Sequence, residues 1–218
     1  DLVSELPETD WVAHVRRELH PVEAGRFYVY GSHDADTVPS GATALLIEAS
    51  MAFGTGHHGT TLGCLRATDR LANEGFAPKA VADIGCGTAV LAMAAAAIWP
   101  SRVVASDIDP VAVDVARVNL AANGMADRIA TVTAAGFDAP EIGVLAPFDL
   151  VFANILKGPL AELAPDIWAN TSPGARVILS GILNEQAQSI ITVYARLGFN
   201  LLHHEEIVDW STLTLSKP

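Results

Sequence analysis

The chain has 218 residues, half of them hydrophobic, which is enough for one large domain plus an extension. Its 25 acidic residues outnumber the 13 basic ones, and the formal net charge of -12 argues against a broad nucleic-acid footprint, which needs clustered Lys and Arg. This charge suits a basic protein partner or a cationic small ligand, although acidity also simply favours solubility.

The first part of the chain has no regular alternation of elements. Four elements are predicted there, in chain order: a helix over 11–20, strands over 26–30 and 42–49, and a helix from about Thr60 to Ala72. We therefore expect a linker or N-terminal extension over residues 1–40 and the main domain over residues 41–218. The chain does not begin with Met, so we expect it to be a fragment of a longer protein.

Strands and helices alternate after residue 78. Strands are predicted over 79–85, 102–109, 128–134, 148–154 and 174–181, and helices over 88–99, 110–124, 158–170 and 184–198. Pro165 lies inside the third of these helices or breaks it. Two further strands, 199–210 and 211–216, close the chain with no helix between them. This order predicts an α/β fold, with a mostly parallel sheet covered by helices on both faces and an antiparallel C-terminal hairpin strand.

The cysteines and the apolar runs predict a cytoplasmic protein. Cys64 and Cys86 stand in apolar or glycine-rich stretches and do not suggest a disulfide framework. The most apolar run, residues 89–99, is shorter than the ~20 residues that cross a bilayer. The first ten residues lack an apolar signal region. We therefore expect no membrane partner.

A glycine turn and two acidic residues point to an adenosine ligand. Gly85 and Gly87 follow a predicted strand directly, where glycine allows a tight turn and close ligand approach. Asp107 ends the next strand, where an acid can bind both ribose hydroxyls. Asp83 disfavours a pyrophosphate and favours a cationic amino-acid end, because its charge would lie close to the ligand. S-adenosylmethionine has such an end and no phosphate. A glycine turn that serves packing alone is the alternative.

Longer segments resemble a known family. The segments DIGCGTAVLA, ASDIDPVAVDVARVNLAANG and FDLVFANIL resemble the seven-strand, Rossmann-like S-adenosylmethionine-dependent methyltransferases. Within that class, MAFGTGHHGTT and ANILKGPLAELAP resemble the PrmA family, whose members methylate amino groups of large-subunit ribosomal protein L11. The resemblance runs from about residue 10 to the end. It implies S-adenosyl-L-methionine as cofactor and a lysine or N-terminal amine as acceptor. The resemblance also implies an N-terminal substrate-recognition domain in family members, and we expect this chain to begin near the linker that follows such a domain.

The segment MAFGTGHHGTT, residues 51–61, forms a predicted loop and the start of the first long helix. It has no lysine to hold nucleotide phosphates, and its adjacent His57 and His58 are poorly spaced for a shared metal. We therefore expect no metal. The family resemblance implies instead that the loop lies across the methionine end of the cofactor, with Phe53 as an apolar wall and Thr61 as a hydrogen-bonding partner. The alternative is that Thr60 or Thr61 caps the helix.

Asn154 ends a predicted strand at the carboxyl edge of the sheet, where such folds bind ligands. Methyl transfer depends on holding a neutral amine in line with the methyl group. The side-chain carbonyl of Asn154 can accept one amine N–H, and the backbone carbonyl of Ile155 or Leu156 can accept another. Asn154 as a cap of the following helix is the alternative. Phe137 follows a strand at the junction that borders adenine in this fold class, and it is a minor cofactor-binding candidate. Asn154 is also a candidate cofactor-binding residue.

Several functions remain open from the sequence. The first is methylation of ribosomal protein L11 by a monomer that contacts no nucleic acid directly. The acceptor could instead be another protein lysine, as in the electron-transfer flavoprotein beta subunit, or a small amine. A catalytically silent binding module is a third class. An NAD-dependent oxidoreductase is disfavoured by Asp83 and by Val90, which stands where the dinucleotide fingerprint has Gly or Ala.

Overall fold

The computed structural model describes residues 20–48 and 58–218. Phe53, His57 and all but the last residue of the helix expected over 11–20 lie outside the described residues. The strands are β1 Val22–Ala24, β2 Phe27–Tyr30, β3 Thr43–Leu46, β4 Ala80–Ile84, β5 Arg102–Asp107, β6 Ile129–Thr133, β7 Phe148–Asn154, β8 Thr171–Leu183, β9 Asn200–Ile207 and β10 Trp210–Ser216. The helices are α1 His58–Asn73, α2 Val90–Ile98, α3 Pro110–Ala122, α4 Pro140–Gly143, α5 Lys157–Glu162, α6 Ala164–Asn170 and α7 Asn184–Leu197, with a 3-10 helix at Ser32–Thr37.

A seven-stranded sheet forms the centre of the fold, in the order β6-β5-β4-β7-β8-β10-β9. The first five strands of that order pair in parallel, and β10 pairs antiparallel with both β8 and β9. The predicted α/β fold with an antiparallel C-terminal hairpin strand is therefore confirmed. All the carboxyl ends of the parallel strands lie at one edge, and the turn between β9 and β10 lies at that same edge because β9 runs in their direction.

Helices cover both faces of this sheet, as predicted. Successive residues of β4 alternate between two cores: Val81 packs with α1, α2 and α3, whereas Ala82 packs with α4 to α7. Every residue of β4 is buried, because a central strand covered on both sides has no polar face. In the described residues, no helix has the length and apolar character needed to cross a bilayer.

The part of the chain before α1 forms a second, three-stranded sheet. Strand β2 pairs antiparallel with β1 and parallel with β3, so the boundary expected near residue 40 falls between two strands of one sheet. This sheet packs into the same core as α1 and α2 through Phe27 and Leu45, among others. The Arg26 guanidinium also pairs with Asp69 on α1 at 2.5 Å. The small sheet is thus fixed to one face of the larger one.

The helix expected over 158–170 is two helices in the structure. Leu163 ends α5 and caps the start of α6, and Pro165 occupies the first turn of α6. Proline is well placed there because the first helical N–H groups have no partner in the helix. Strand β1, the 3-10 helix and α4 were not predicted, since each is too short to show a period in the sequence.

Candidate functional site

Four N–H groups of the glycine turn between β4 and α2 are bonded to acceptors within the protein. Gly85 has a left-handed backbone with φ of 72°, a conformation that glycine adopts without strain. The N–H groups of Gly85 and Cys86 both donate to Ser106 O, at 2.8 and 2.9 Å. The Gly87 N–H donates to Asp107 Oδ2 at 2.9 Å, and the Ala89 N–H donates to Cys86 O at 2.8 Å. A phosphate cradle needs such groups to point outward at the anion, so this turn is not built as one.

The carboxylate of Asp107 is fixed beside the turn. Its Oδ2 accepts the Gly87 N–H, and its Oδ1 accepts the Asp109 N–H at 3.0 Å. Asp107 is half-buried at the end of β5. Each carboxylate oxygen can accept more than one hydrogen bond, so a rigidly held Asp107 can also accept bonds from a pair of hydroxyl groups.

Asp83 lies beneath the turn, with only 1% of its surface exposed. Its Oδ2 accepts the Ala92 N–H in the first turn of α2 at 3.0 Å. Burial raises the pKa of this carboxyl to about 7; the Ala92 N–H opposes the shift and the nearby Asp107 adds to it. Asp83 therefore changes its charge near neutral pH. A cation held above the turn would favour its ionised form.

Asn154 ends β7, next to β4, and its side chain is oriented by helix α1. The Nδ2 group of Asn154 donates to Thr60 Oγ1 at 3.3 Å. Among the described residues, none donates a hydrogen bond to Asn154 Oδ1, so this oxygen is an acceptor at the edge of the sheet. The neighbouring Thr61 is also buried in the first turn of α1. The structure thus connects Asn154 with Thr60 rather than with Thr61.

Ile155, directly after β7, is enclosed by two glycines. A Cβ atom on Gly85 would collide with the Cγ2 atom of Ile155. A Cβ atom on Gly181, in β8, would stand 2.8 Å from the carbonyl carbon and 2.9 Å from the nitrogen of Ile155, and closer still to its oxygen. The Ile155 carbonyl therefore faces the Gly181 backbone. That of Leu156 accepts the Leu160 N–H at 3.0 Å, as the first bond of α5, while its side chain is 66% exposed.

The structure describes only one of the two remaining predicted site residues. Phe53 lies outside the described residues. The half-buried ring of Phe137 packs against Phe148 with centroids 6.1 Å apart, at the margin of the core on the α4 to α7 face. Within residues 20–48 and 58–218, no three His, Cys, Asp or Glu side chains are arranged to hold a metal ion.

Helix α1 reaches the site because two of its glycines lie close to the C-terminal hairpin. A Cβ on Gly63 would overlap with Thr212 Oγ1, and one on Gly59 would stand 3.1 Å from Trp210 Cδ1. Residues four apart share one helix face, so both glycines allow the same close approach. Sequence reasoning missed this role, although the spacing of four was visible. It also missed Thr60 as the partner of Asn154.

Comparisons with known proteins agree with this geometry. A family model described as Ribosomal protein L11 methyltransferase (PrmA) matches residues 2–218. The ribosomal protein L11 methyltransferase of Brucella abortus (strain S19) is 48% identical over 204 residues, which are 92% of this chain and 71% of that protein. The protein of the same name from Rhodopseudomonas palustris (strain BisB5) is 47% identical over 215 residues, which are 99% of this chain and 72% of that one.

Solved structures share the fold. The crystal structure of ribosomal protein L11 methylase from Lactobacillus delbrueckii subsp. bulgaricus superposes with a TM-score of 0.80 at 27% identity, covering 91% of this chain and 99% of the other. An RNA methyltransferase from Salinibacter ruber, in complex with S-adenosyl-L-homocysteine, superposes with a TM-score of 0.54 at 20% identity, covering 70% and 90% of the two chains. The second likeness concerns the fold alone.

Proposed function

The chain belongs to the ribosomal protein L11 methyltransferase (PrmA) family, and on that premise we propose that it transfers methyl groups from S-adenosylmethionine to amino groups of ribosomal protein L11. The acceptor would be a lysine side chain or the N-terminal amine. The names of the relatives support L11 as the substrate. The net charge of -12 suits a basic protein acceptor. Another protein lysine is the alternative acceptor.

The glycine turn is the observation that carries the choice of cofactor. Four of its N–H groups are bonded within the protein, and the carboxylates of Asp83 and Asp107 lie beneath and beside it. N–H groups that are already bonded and two nearby carboxylates disfavour a phosphate, and they fit an adenosine compound with a cationic end. In the proposal, Asp107 binds the ribose hydroxyls, Gly85 and Gly87 let the ligand approach the backbone, and Asp83 stabilises its positive charge.

The other predicted contacts complete the proposed site. Phe53 and Thr61 would hold the methionine end of the cofactor. Phe137, whose half-buried ring packs against Phe148, would border the adenine. We also propose that residues 1–40 are a connecting extension, whose strand β2 pairs with β3 of the catalytic domain, residues 41–218. The protein would act in the cytoplasm, as a monomer.

The reacting amine would be placed by the strand end at Asn154. When bound, S-adenosylmethionine supplies a methyl group already activated by the sulfonium. Asn154 Oδ1 would accept an N–H of the amine, held in direction by the bond from Nδ2 to Thr60. Desolvation on binding and the neighbouring sulfonium would both lower the pKa of the amine and keep it neutral. Asn154 and its neighbours Ile155 and Leu156 thus form the proposed catalytic strand end, where positioning supplies most of the acceleration.

The test combines binding and turnover. Titration calorimetry of the purified chain should show S-adenosylmethionine binding in the micromolar range, as is common for small-molecule sites, and at least ~10-fold weaker binding in Asp107→Ala. NAD should not bind. Mass spectrometry of L11 incubated with the full-length enzyme should show added methyl groups. Tight NAD binding without S-adenosylmethionine binding would overturn the proposal, and cofactor binding without any methylated protein would favour a silent binding module.

A further inference from the structure

Two asparagines, Asn119 on α3 and Asn123 at its C-terminal cap, make hydrogen bonds to the backbone of β3 and of the residues that follow it. Asn123 Oδ1 accepts the Leu46 N–H at 2.9 Å, and Asn123 Nδ2 donates to Leu46 O at 2.7 Å. Asn119 Oδ1 accepts the Glu48 N–H at 3.1 Å. Residues four apart on a helix are ~6 Å apart along its axis, close to the ~6.7 Å between residues two apart on a strand. The spacing of the side chains therefore matches the spacing of the strand.

Asn119 makes an additional bond that Asn123 lacks. Its Nδ2 donates to the carbonyl oxygen of Thr88, in the glycine turn, at 3.1 Å. The Asn119 residue is fully buried, so both ends of its amide have lost water and depend on these two partners. By contrast, Asn123 Nδ2 donates its second bond to the backbone of α3, to Asn119 O at 2.8 Å. Asn119 thus joins the glycine turn to the end of the small sheet through hydrogen bonds from one side chain.

The bond to Thr88 completes the support of the turn. Thr88 precedes Ala89, whose left-handed backbone has a φ of 63° and which caps the start of α2. A non-glycine residue in this conformation is strained, and such a conformation persists only where its surroundings fix it. Asp107 holds the turn through the Gly87 N–H, and Asp83 holds the first turn of α2 through the Ala92 N–H. Asn119 is the side chain that holds the carbonyl between them.

We propose that Asn119 is a positioning residue for cofactor binding: it holds the Thr88 carbonyl so that the glycine turn keeps its binding shape, and it ties that turn to Glu48. Its effect on affinity rests on the function proposed above, whereas its effect on the turn does not. Asn119 itself does not touch the cofactor in this proposal. It acts by setting the position of backbone atoms that do.

A matched pair of isosteric variants tests this role. Asn119→Asp keeps an acceptor for the Glu48 N–H but puts an oxygen against Thr88 O. Asn123→Asp keeps an acceptor for the Leu46 N–H and puts an oxygen against Leu46 O, so it weakens the contact with β3 without changing the glycine turn. We expect Asn119→Asp to bind S-adenosylmethionine ~10-fold more weakly by calorimetry, since a buried carbonyl loses its donor, and Asn123→Asp to stay within about twofold. Hydrogen exchange of a peptide spanning residues 83–92 should accelerate in Asn119→Asp alone. Both variants should lower the melting temperature.

The outcomes separate this inference from the proposed function. Unchanged affinity and exchange in a folded Asn119→Asp protein would overturn the inference, as would equal losses in both variants. Failure of Asn119→Asp to fold would also overturn it, because the residue would then serve the whole fold rather than the turn. If the unmodified chain did not bind S-adenosylmethionine, the proposed function would fail, and the exchange measurement would still decide the role of Asn119.

Discussion

Gly85 and Gly181 occupy equivalent positions on the two sides of Ile155. Each has a left-handed backbone, with φ of 72° and 84°, and each lies at the carboxyl edge of a strand that neighbours β7. They differ in what they touch: Gly85 faces the side chain of Ile155, whereas Gly181 faces its backbone. A side chain can turn or be shortened, but a backbone at a sheet edge cannot move without breaking its hydrogen bonds. The Gly181 side is therefore the rigid one.

The polar groups behind the two glycines differ as well. Behind Gly85 lies the buried Asp83, which can change its charge. Before Gly181 lies the neutral Ser180, which is buried and donates to Ser211 O at 2.8 Å. The side proposed for the cofactor is thus sensitive to pH, and the side that supports Ile155 is held by uncharged bonds.

The largest expected effect is that of Gly181→Ala. The added Cβ would meet three backbone atoms of Ile155 in addition to the strain of a left-handed alanine, so we expect a loss of about 4 kcal/mol in the free energy of unfolding. Urea denaturation measures it. Gly158→Ala is the control, because nothing lies within 4 Å of its added Cβ and it stands in α5. That variant should be slightly more stable, and comparable losses in both variants would contradict the comparison.

The next effect concerns the reaction. Asn154→Ala removes the proposed acceptor of the amine, and we expect kcat for methylation of L11 to fall ~100-fold, equivalent to about 2.7 kcal/mol. Thr60→Val removes only the hydroxyl that orients Asn154 and should cost roughly 10-fold. The cofactor Kd should stay within about twofold in both variants. If cofactor affinity fell in parallel with kcat, Asn154 would instead contact the cofactor rather than the amine.

The pH dependence of stability should come from the Gly85 side. In the unfolded chain the pKa of Asp83 is near 4, and in the folded protein burial raises it to about 7. Between these values the folded state holds a proton that the unfolded state has lost, so stability falls as pH rises. We expect Asp83 to contribute a decrease of about 2 kcal/mol between pH 5 and pH 7. Asp83→Asn keeps an acceptor for Ala92 and should remove that part of the slope in urea titrations; an unchanged slope would contradict it.

The smallest effect is the most specific test of the comparison. Ile155→Ala removes the Cγ2 atom that a Cβ on Gly85 would meet, so Gly85→Ala should be about 1 kcal/mol less damaging in the Ile155→Ala background. Gly181→Ala should show no such coupling, because Ile155→Ala leaves the backbone in place. Double-mutant cycles of unfolding free energies give both numbers. Equal coupling on the two sides would show that the two contacts do not differ.

Much of the candidate site was predictable from local patterns. The strand before Gly85 and the strand that ends at Asn154 were both visible in the alternation of elements, and parallel strands bring their carboxyl ends to one edge. Asp107 was predictable because it ends the next strand. The contacts of Asn119 with Thr88 and of Thr60 with Asn154 were not, since these partners are 31 and 94 residues apart in the chain.

The sequence by itself determined the order of strands and helices, the turn that follows β4, and the acidic residues beside it, because period, glycine and charge are local properties. Only the tertiary structure decided that Asp83 is buried, that Ile155 lies between two glycines, and that four N–H groups of the turn are bonded within the protein. Those features depend on which backbone atoms fold back against one another. Local sequence patterns do not predict distances between atoms of residues that are far apart in the chain.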